Sequence, residues 1–308
     1  MTRLLVAELR RVAARRLVRL TVALAVVGIA LGGVAAFVWS GSLSEETYQQ
    51  RLADIEERRE AQEEETGACL NANGVSRGDE ISDDIIDQCF PDEFVEVDDP
   101  RFRRSRLNGI LQGASGGLAV IGWALGASLV GAEFGSRGMT TLLTWEPRRW
   151  RVFLAKTVAV LAATALFALV ALALLALAMW PALSLHGAPL RPNDPTLASL
   201  AGTAARGVAL ATLASGMGLA IATIGRNTAA ALGAGFAYII VFENIIGSFI
   251  ERWRRWLLLG NVIVFVSGRN NGGDIPGRTV TAAALFLTAV AVTLLVAAAS
   301  TFRTRDLA

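Results

Sequence analysis

The strongest constraint on this chain is a set of six apolar stretches with almost no charge, near residues 20–40, 108–132, 157–181, 200–224, 227–249 and 279–301. A helix rises about 1.5 Å per residue, so roughly 20 apolar residues cross a bilayer core, and a helix satisfies its own backbone groups there. Six such stretches predict an all-α polytopic membrane protein. The composition agrees: 53% of residues are hydrophobic, mean hydropathy is +0.48, and only 18% are charged, where a soluble domain carries about 25%. The first stretch is too long for a signal-peptide core, lacks an A-x-A-like cleavage site and is followed by five more, so it reads as a retained helix.

Arginines set the orientation, because Lys and Arg close to span ends are held in the cytoplasm. Arg3, Arg10, Arg11, Arg15, Arg16 and Arg19 place the amino-terminal segment 1–19 inside. An even number of crossings returns the carboxyl terminus, with Arg303 and Arg305, to the same side. Arg137, Arg148, Arg149 and Arg151 after span two, and Arg226 after span four, also fall inside. Two groups run against this assignment: Arg101, Arg103, Arg104 and Arg106 before span two, and Arg252, Arg254 and Arg255 after span five. With 28 arginines against one lysine the gene points to a GC-rich genome, and a prokaryotic plasma membrane is the expected setting.

The loop 41–107 holds 19 of the 27 acidic residues against 8 arginines, a net charge of −11, and stays in water outside the cell. Ser42 with Glu45 forms a capping-box pattern, and the run to Glu65 carries Tyr48, Leu52 and Ile55 at helical spacing. A charged helix is expected there, separate from span one or continuous with it. Both a solvated face and a substrate- or partner-binding cap fit such a charge run. The two cysteines, Cys69 and Cys89, lie in this loop, where oxidation would close a 20-residue loop worth on the order of 3 kcal/mol in the chain-entropy model. The competing reading is a metal pair, but no histidine lies near either cysteine.

Signatures of chemistry are missing from the sequence. It has no G-x-x-x-x-G-K-[ST] phosphate loop, no H-E-x-x-H and no G-x-S-x-G. Its single histidine, His186, sits in a polar turn between spans three and four and is expected to be solvated. Neither a catalytic residue, a metal site nor a nucleic-acid partner is expected.

The segment from Glu133 to Lys156, between spans two and three, mixes apolar and charged residues over a few turns. Met139, Leu142 and Leu143 share helical spacing, Trp145 and Trp150 suit headgroup depth, Pro147 ends a helix, and Arg148 to Arg151 meet anionic lipid. Taken alone, this reads as an interfacial helix with a basic re-entry, or as a membrane-hugging loop.

The order of residues there resembles the cytoplasmic connection of ABC-2 type permeases, the membrane subunits of ATP-binding-cassette exporters. Glu133, Gly138, Leu142, Leu143, Pro147, Arg148, Arg149 and Lys156 occupy the family's acidic, glycine, leucine, Pro-Arg and lysine slots, and Met139 stands where the family often has threonine. Six spans, an amphipathic amino-terminal segment, a Gly225-Arg226-Asn227 turn and a long final outer connection match in outline. The first outer loop is longer than usual for the family. The resemblance implies an ABC-2 exporter permease fold, with segment 1–19 as a surface elbow helix along a stripe of Leu5, Leu9 and Val12. It also implies a second permease copy or a paralogue, and a dimer of ATPase subunits that bind ATP and Mg. This chain then binds no cofactor itself. Residues 133–151 become the coupling segment, with Glu133, Gly138, Met139, Leu142, Leu143, Pro147 and Arg148 meeting the ATPase.

The same resemblance puts the translocation path at the dimer seam, along spans two and five. Span two offers Asn108, Gln112 and Trp123, and a glycine series at 109, 113, 117, 122 and 126 that permits close helix approach or simple packing. Span five offers Phe236, Tyr238, Phe242 and Glu243, the last being either a functional ionisable group or a solvated or Arg-paired one. Residues 250–278, with Trp253 and Trp256 at headgroup depth, are expected to form short re-entrant or surface helices at the outer face, and Arg206 to snorkel or pair internally. The expected function is export of a hydrophobic or amphiphilic substrate, such as a drug, lipid or peptide. The alternatives are a membrane-embedded enzyme, or a ligand-sensing membrane protein that uses the 41–107 loop.

Overall fold

A computed structural model describes residues 2–73, 89, 99–135, 148–246, 255–270, 275 and 277–304. Every regular element among them is helical. The chain runs through α1 (Thr2–Ala14), α2 (Arg16–Trp39), α3 (Glu45–Ala72), α4 (Arg104–Gly135), α5 (Arg149–Leu185) and α6 (Leu197–Gly225). It continues as α7 (Thr228–Ala237), a π-helical segment (Tyr238–Ile246), the short α8 (Leu258–Ser267) and α9 (Val280–Thr304). Six runs are long and apolar enough to cross a membrane: α2, α4, α5, α6, α7 with its π segment, and α9. The protein is a multi-pass helical membrane protein. Several helices extend past the expected span edges, beginning at charged residues such as Arg16, Arg104 and Arg149.

The chain divides into two compact units, Met1–Ala35 with Arg103–Trp180 and Leu190–Ala308, and Ala36–Phe102 with Pro181–Pro189. The first is built around the α4–α6 contact. A Cβ at Gly122 or Gly126 would fall onto the carbonyls of Ala211 or Ser215, one at Gly218 onto that of Trp123, and one at Gly207 onto Ser115. Lipid tails are as apolar as leucine, so membrane helices associate by such close backbone packing. The buried hydroxyls of Ser115 and Thr223 turn back to Leu111 and Leu219 carbonyls of their own helices, which leaves neither unpaired. Only part of the glycine series does this work: Gly109, Gly113 and Gly117 have open space where a Cβ would stand.

Two apolar clusters hold the ends of this unit. At one end Val12 of α1 meets Leu129, Phe153, Val160, Leu219 and Phe302. At the other, Val264 and Phe265 of α8 meet Leu210, Ala283 and Leu287. Between α6 and α7, Arg226 is left-handed (φ 51°) and Asn227 Oδ1 accepts from Ala229 N at 2.9 Å, which makes the expected tight turn an N-cap.

In the second unit, α3 begins two residues after the start implied by the expected capping box. Ser44, not Ser42, is the N-cap, its Oγ accepting from Thr47 N at 3.2 Å, while Glu45 binds the Gln49 amide. The helix is also separate from α2, since residues 40–44 are non-helical and Gly41 N donates to Pro100 O at 3.0 Å. Cys69 and Cys89 form the disulfide. Arg101, 3% exposed, donates to Asp99 and Glu45 and lies over the Tyr48 ring at 4.1 Å. The Asp99 hydrogen bond raises the Arg101 pKa, and hydrogen bonds from Gln49 and then Arg101 lower that of Glu45. His186 is not simply solvated: its Nδ1 lies 3.0 Å from Ser40 Oγ and its ring stacks on Phe37 at 4.7 Å. Ser40 donates its hydroxyl hydrogen to Phe37 O, so the imidazole is the donor in the Ser40 contact.

Candidate functional site

Glu133 closes α4 and Lys156 opens α5, one on each side of the segment singled out in the sequence. The two are paired: Lys156 Nζ lies 2.6 Å from Glu133 Oε2. The same ammonium lies 2.8 Å from Glu8 Oε2 on α1, while Arg11 binds the other Glu8 oxygen and Arg15 the other Glu133 oxygen, both at 2.9 Å. Two carboxylates and three cations thus share one small cleft, floored by Val12, Leu129, Val130, Ala159 and Val160. Lys156 and Glu8 are about 95% buried, at 6% and 5% side-chain exposure. Each buried charge is neutralised by a partner, and removal of one would strand another in an apolar setting.

Local structure explains how these residues meet. The break at Arg15, between α1 and α2, frees the Arg15 side chain to reach both Glu133 and the Ser128 carbonyl at 3.1 Å. Val12 docks α1 on α4 and α5, which brings Glu8, one turn earlier, over Lys156. Glu8 was not among the residues chosen from sequence. The available signal was that it is the one acid among the six arginines of 1–19. Gly138, Met139, Leu142, Leu143 and Pro147 lie outside the described residues, and Arg148 is exposed at the start of α5. Arg149 reaches the Arg303 carbonyl at 3.5 Å, and Phe153 packs against Phe302, so the end of α9 joins the same end of the unit.

The residues expected along spans two and five enter separate contacts among the described residues. Tyr238, Phe242 and Glu243 come together: the two rings stack at 5.4 Å, and both polar groups reach α8. Tyr238 OH accepts from Leu258 N at 3.0 Å and Glu243 Oε1 from Leu259 N at 2.8 Å. The first N–H groups of a helix have no partner within it, and Leu257 supplies no side-chain cap, so span five caps α8 from outside. The π segment aligns residues five apart, which sets Tyr238 and Glu243 on one side. Glu243 is therefore neither freely solvated nor bound to an arginine among the described residues. Trp123 sits against Gly235 of α7 with its Nε1 unpaired among the described residues, Phe236 is 72% exposed, and Gln112 is half-buried on α4.

Asn108 belongs with α6 instead. Its Oδ1 accepts from Thr203 Oγ1 at 2.9 Å, and Arg206 Nη2 donates to that same hydroxyl at 3.1 Å. Arg206 Nε also donates to Val266 O at 3.3 Å, at the carboxyl end of α8, where a cation is favoured. Arg278 Nε donates to Asn261 Oδ1 at 2.8 Å, and the Asn261 amide donates to Leu257 O. Among the described residues there is no group of three or more His, Cys, Asp and Glu placed to hold a metal ion.

The chain matches no protein-family model, no curated protein and no solved structure.

Proposed function

We propose that the chain is the membrane subunit of an ABC-2 type exporter, assembled with a second permease copy or paralogue and driven by separate ATPase subunits that bind ATP and Mg. What carries the reading is the mounting of the segment between spans two and three. Glu133 and Lys156, the acid and lysine of the resemblance, are ion-paired to each other, and both are pinned to α1 through Arg15 and Glu8. A load applied to residues 136–147 is thereby delivered to α1, α4 and α5 together instead of being absorbed at loose helix ends. On this reading both termini are cytoplasmic, and Gly138, Met139, Leu142, Leu143 and Pro147 meet the ATPase. The cargo is hydrophobic or amphiphilic, in keeping with apolar spans that carry few charges.

The test is reconstitution of the chain with a phosphate-loop ATPase that co-purifies with it, followed by flux measurements with and without ATP. Flux is expected only with both. Replacing Leu142 and Leu143 by Asp should preserve ATP hydrolysis and the helical spans but abolish flux. Transport by the chain alone, or unchanged flux in the double variant, would overturn the proposal.

A further inference from the structure

Arg206 is nine residues into α6, about 14 Å along the helix axis from Leu197, where a guanidinium is costly unless it faces protein, water or ligand. Among the described residues no carboxylate lies within ion-pair distance of it. Its bonds go to two neutral acceptors, Val266 O and Thr203 Oγ1, which leaves N–H groups of a five-donor fork unspent. Thr203 Oγ1 accepts from Arg206, and its own hydrogen is within reach of Asn108 Oδ1 at 2.9 Å and Ser199 O at 3.2 Å. The capacity left on the Arg206 fork is donors only, and the Asn108 amide nitrogen adds two further N–H groups beside it. Such a set complements an anion.

Two further observations bear on what the anion is attached to. Gly268 (φ 67°) lies directly against the guanidinium, so the backbone after α8 approaches this arginine closely. Next to Asn108 in sequence, Gly109 and with it Gly113 and Gly117 of α4 have open space where a Cβ would stand. The same end of the unit carries Arg104, Arg106, Arg255 and Arg269. Its described carboxylates, Glu243 and Asp194, are held by the backbone N–H groups of Leu259 and Arg191. A positive end opposite the Glu8 cluster opposes the usual retention of arginine in the cytoplasm, and an anionic ligand supplies a reason for it.

We infer that Arg206, Thr203 and Asn108 bind the anionic headgroup of an amphiphile whose tail lies along the glycine face of α4. Where the amphiphile is called a substrate, the inference rests on the transport reading above. Arg206 selects the head by charge, and the exposed glycines admit the tail without selecting it.

The test uses the full chain in nanodiscs of zwitterionic lipid and three probes: dodecyl phosphate, dodecylphosphocholine and inorganic phosphate. Dodecyl phosphate is expected to bind at least about tenfold tighter than dodecylphosphocholine, and inorganic phosphate more weakly than either. Arg206→Gln should erase the preference for dodecyl phosphate, while Arg303→Gln, exposed at the far end of α9, should retain it. Asn108→Asp supplies an internal carboxylate beside the guanidinium and should erase the preference as well, which decides the matter if Arg206→Gln does not fold. Equal binding of the two amphiphiles to the unaltered chain, or a preference that survives in the folded variants, overturns the site. Phosphate binding as tightly as dodecyl phosphate overturns the amphiphile assignment in favour of a small anion. Binding is read without ATP or ATPase, so a failed exporter assignment leaves this result standing, and ATP-driven flux without anion preference sinks the site alone.

Discussion

Lys156 Nζ is held between Glu133 at 2.6 Å and Glu8 at 2.8 Å, so a single buried ammonium joins the amino-terminal helix to the helix ends that flank residues 136–147. Glu133 and Lys156 are visible as a pair only once Glu8 and Arg15 are known to close the ring around them. That arrangement makes the first prediction a test of the mount, independent of any transport assay.

Lys156→Met should destabilise the first unit by about 3 kcal/mol, because two buried carboxylates lose their shared cation while Arg11 and Arg15 compensate in part. Adding Glu8→Gln and Glu133→Gln should recover most of that loss. Denaturation of the purified chain in detergent measures both, and a single variant as stable as the parent contradicts the account.

Gly126→Ala and Gly113→Ala should differ in sign. At Gly126 the new methyl group meets the Ser215 carbonyl and forces α4 from α6, costing about 1–3 kcal/mol. At Gly113 nothing stands within 4 Å, and the substitution should be neutral or favourable by up to about 1 kcal/mol through helix propensity. Thermal midpoints of the two variants decide it.

Span five holds α8 by two side chains. Tyr238→Phe should cost about 1 kcal/mol and Glu243→Ala about 1–2 kcal/mol of local stability, since each leaves a helix-end N–H without its partner. Faster amide exchange at residues 257–260, with α9 unaffected, is the expected signature.

Serine at both Cys69 and Cys89 removes a cross-link spanning 20 residues and should weaken the second unit by on the order of 3 kcal/mol. Protease cleavage within 41–107 should accelerate while the spans remain intact.

Glu45 should titrate below its ordinary value of 4.5, because the Gln49 amide and then Arg101 favour its charged form. A carboxylate depressed in the folded state adds stability above its unfolded pKa and loses it as pH falls through the lowered value. Carboxyl NMR of the full chain should therefore give a midpoint under 4.5, and Gln49→Ala should move it upward. A midpoint at or above the ordinary value in the parent would contradict the geometry.

Periodic hydrophobicity was enough to locate every span, since a run of apolar residues long enough to cross lipid has no other way to satisfy its backbone. The Gly225–Asn227 turn and the cysteine pairing were equally legible, because both depend on residues close in sequence or on a unique pair. The cap of α3 was misplaced from Ser44 to Ser42, since two serines two residues apart offer the same local chemistry and only the Gly41–Pro100 contact decides where the helix starts. His186 looked solvated because its partners, Ser40 and Phe37, are far away along the chain.

The candidate sites divide along the same line. Glu133 and Lys156 stood out by residue type, yet nothing local links them to Glu8, and an isolated acid in an arginine-rich helix carries no record of the lysine it neutralises. Asn108 was assigned to span two on a path shared with span five, and its side chain bonds to Thr203 of α6 beside Arg206. Composition could say that this chain lies in a membrane and how often it crosses, because transfer from water to lipid is nearly additive along a helix. Which buried charge meets which, and which glycines touch a neighbour, became definite only with the chain folded, because electrostatic and packing energies depend on distances that no local pattern encodes.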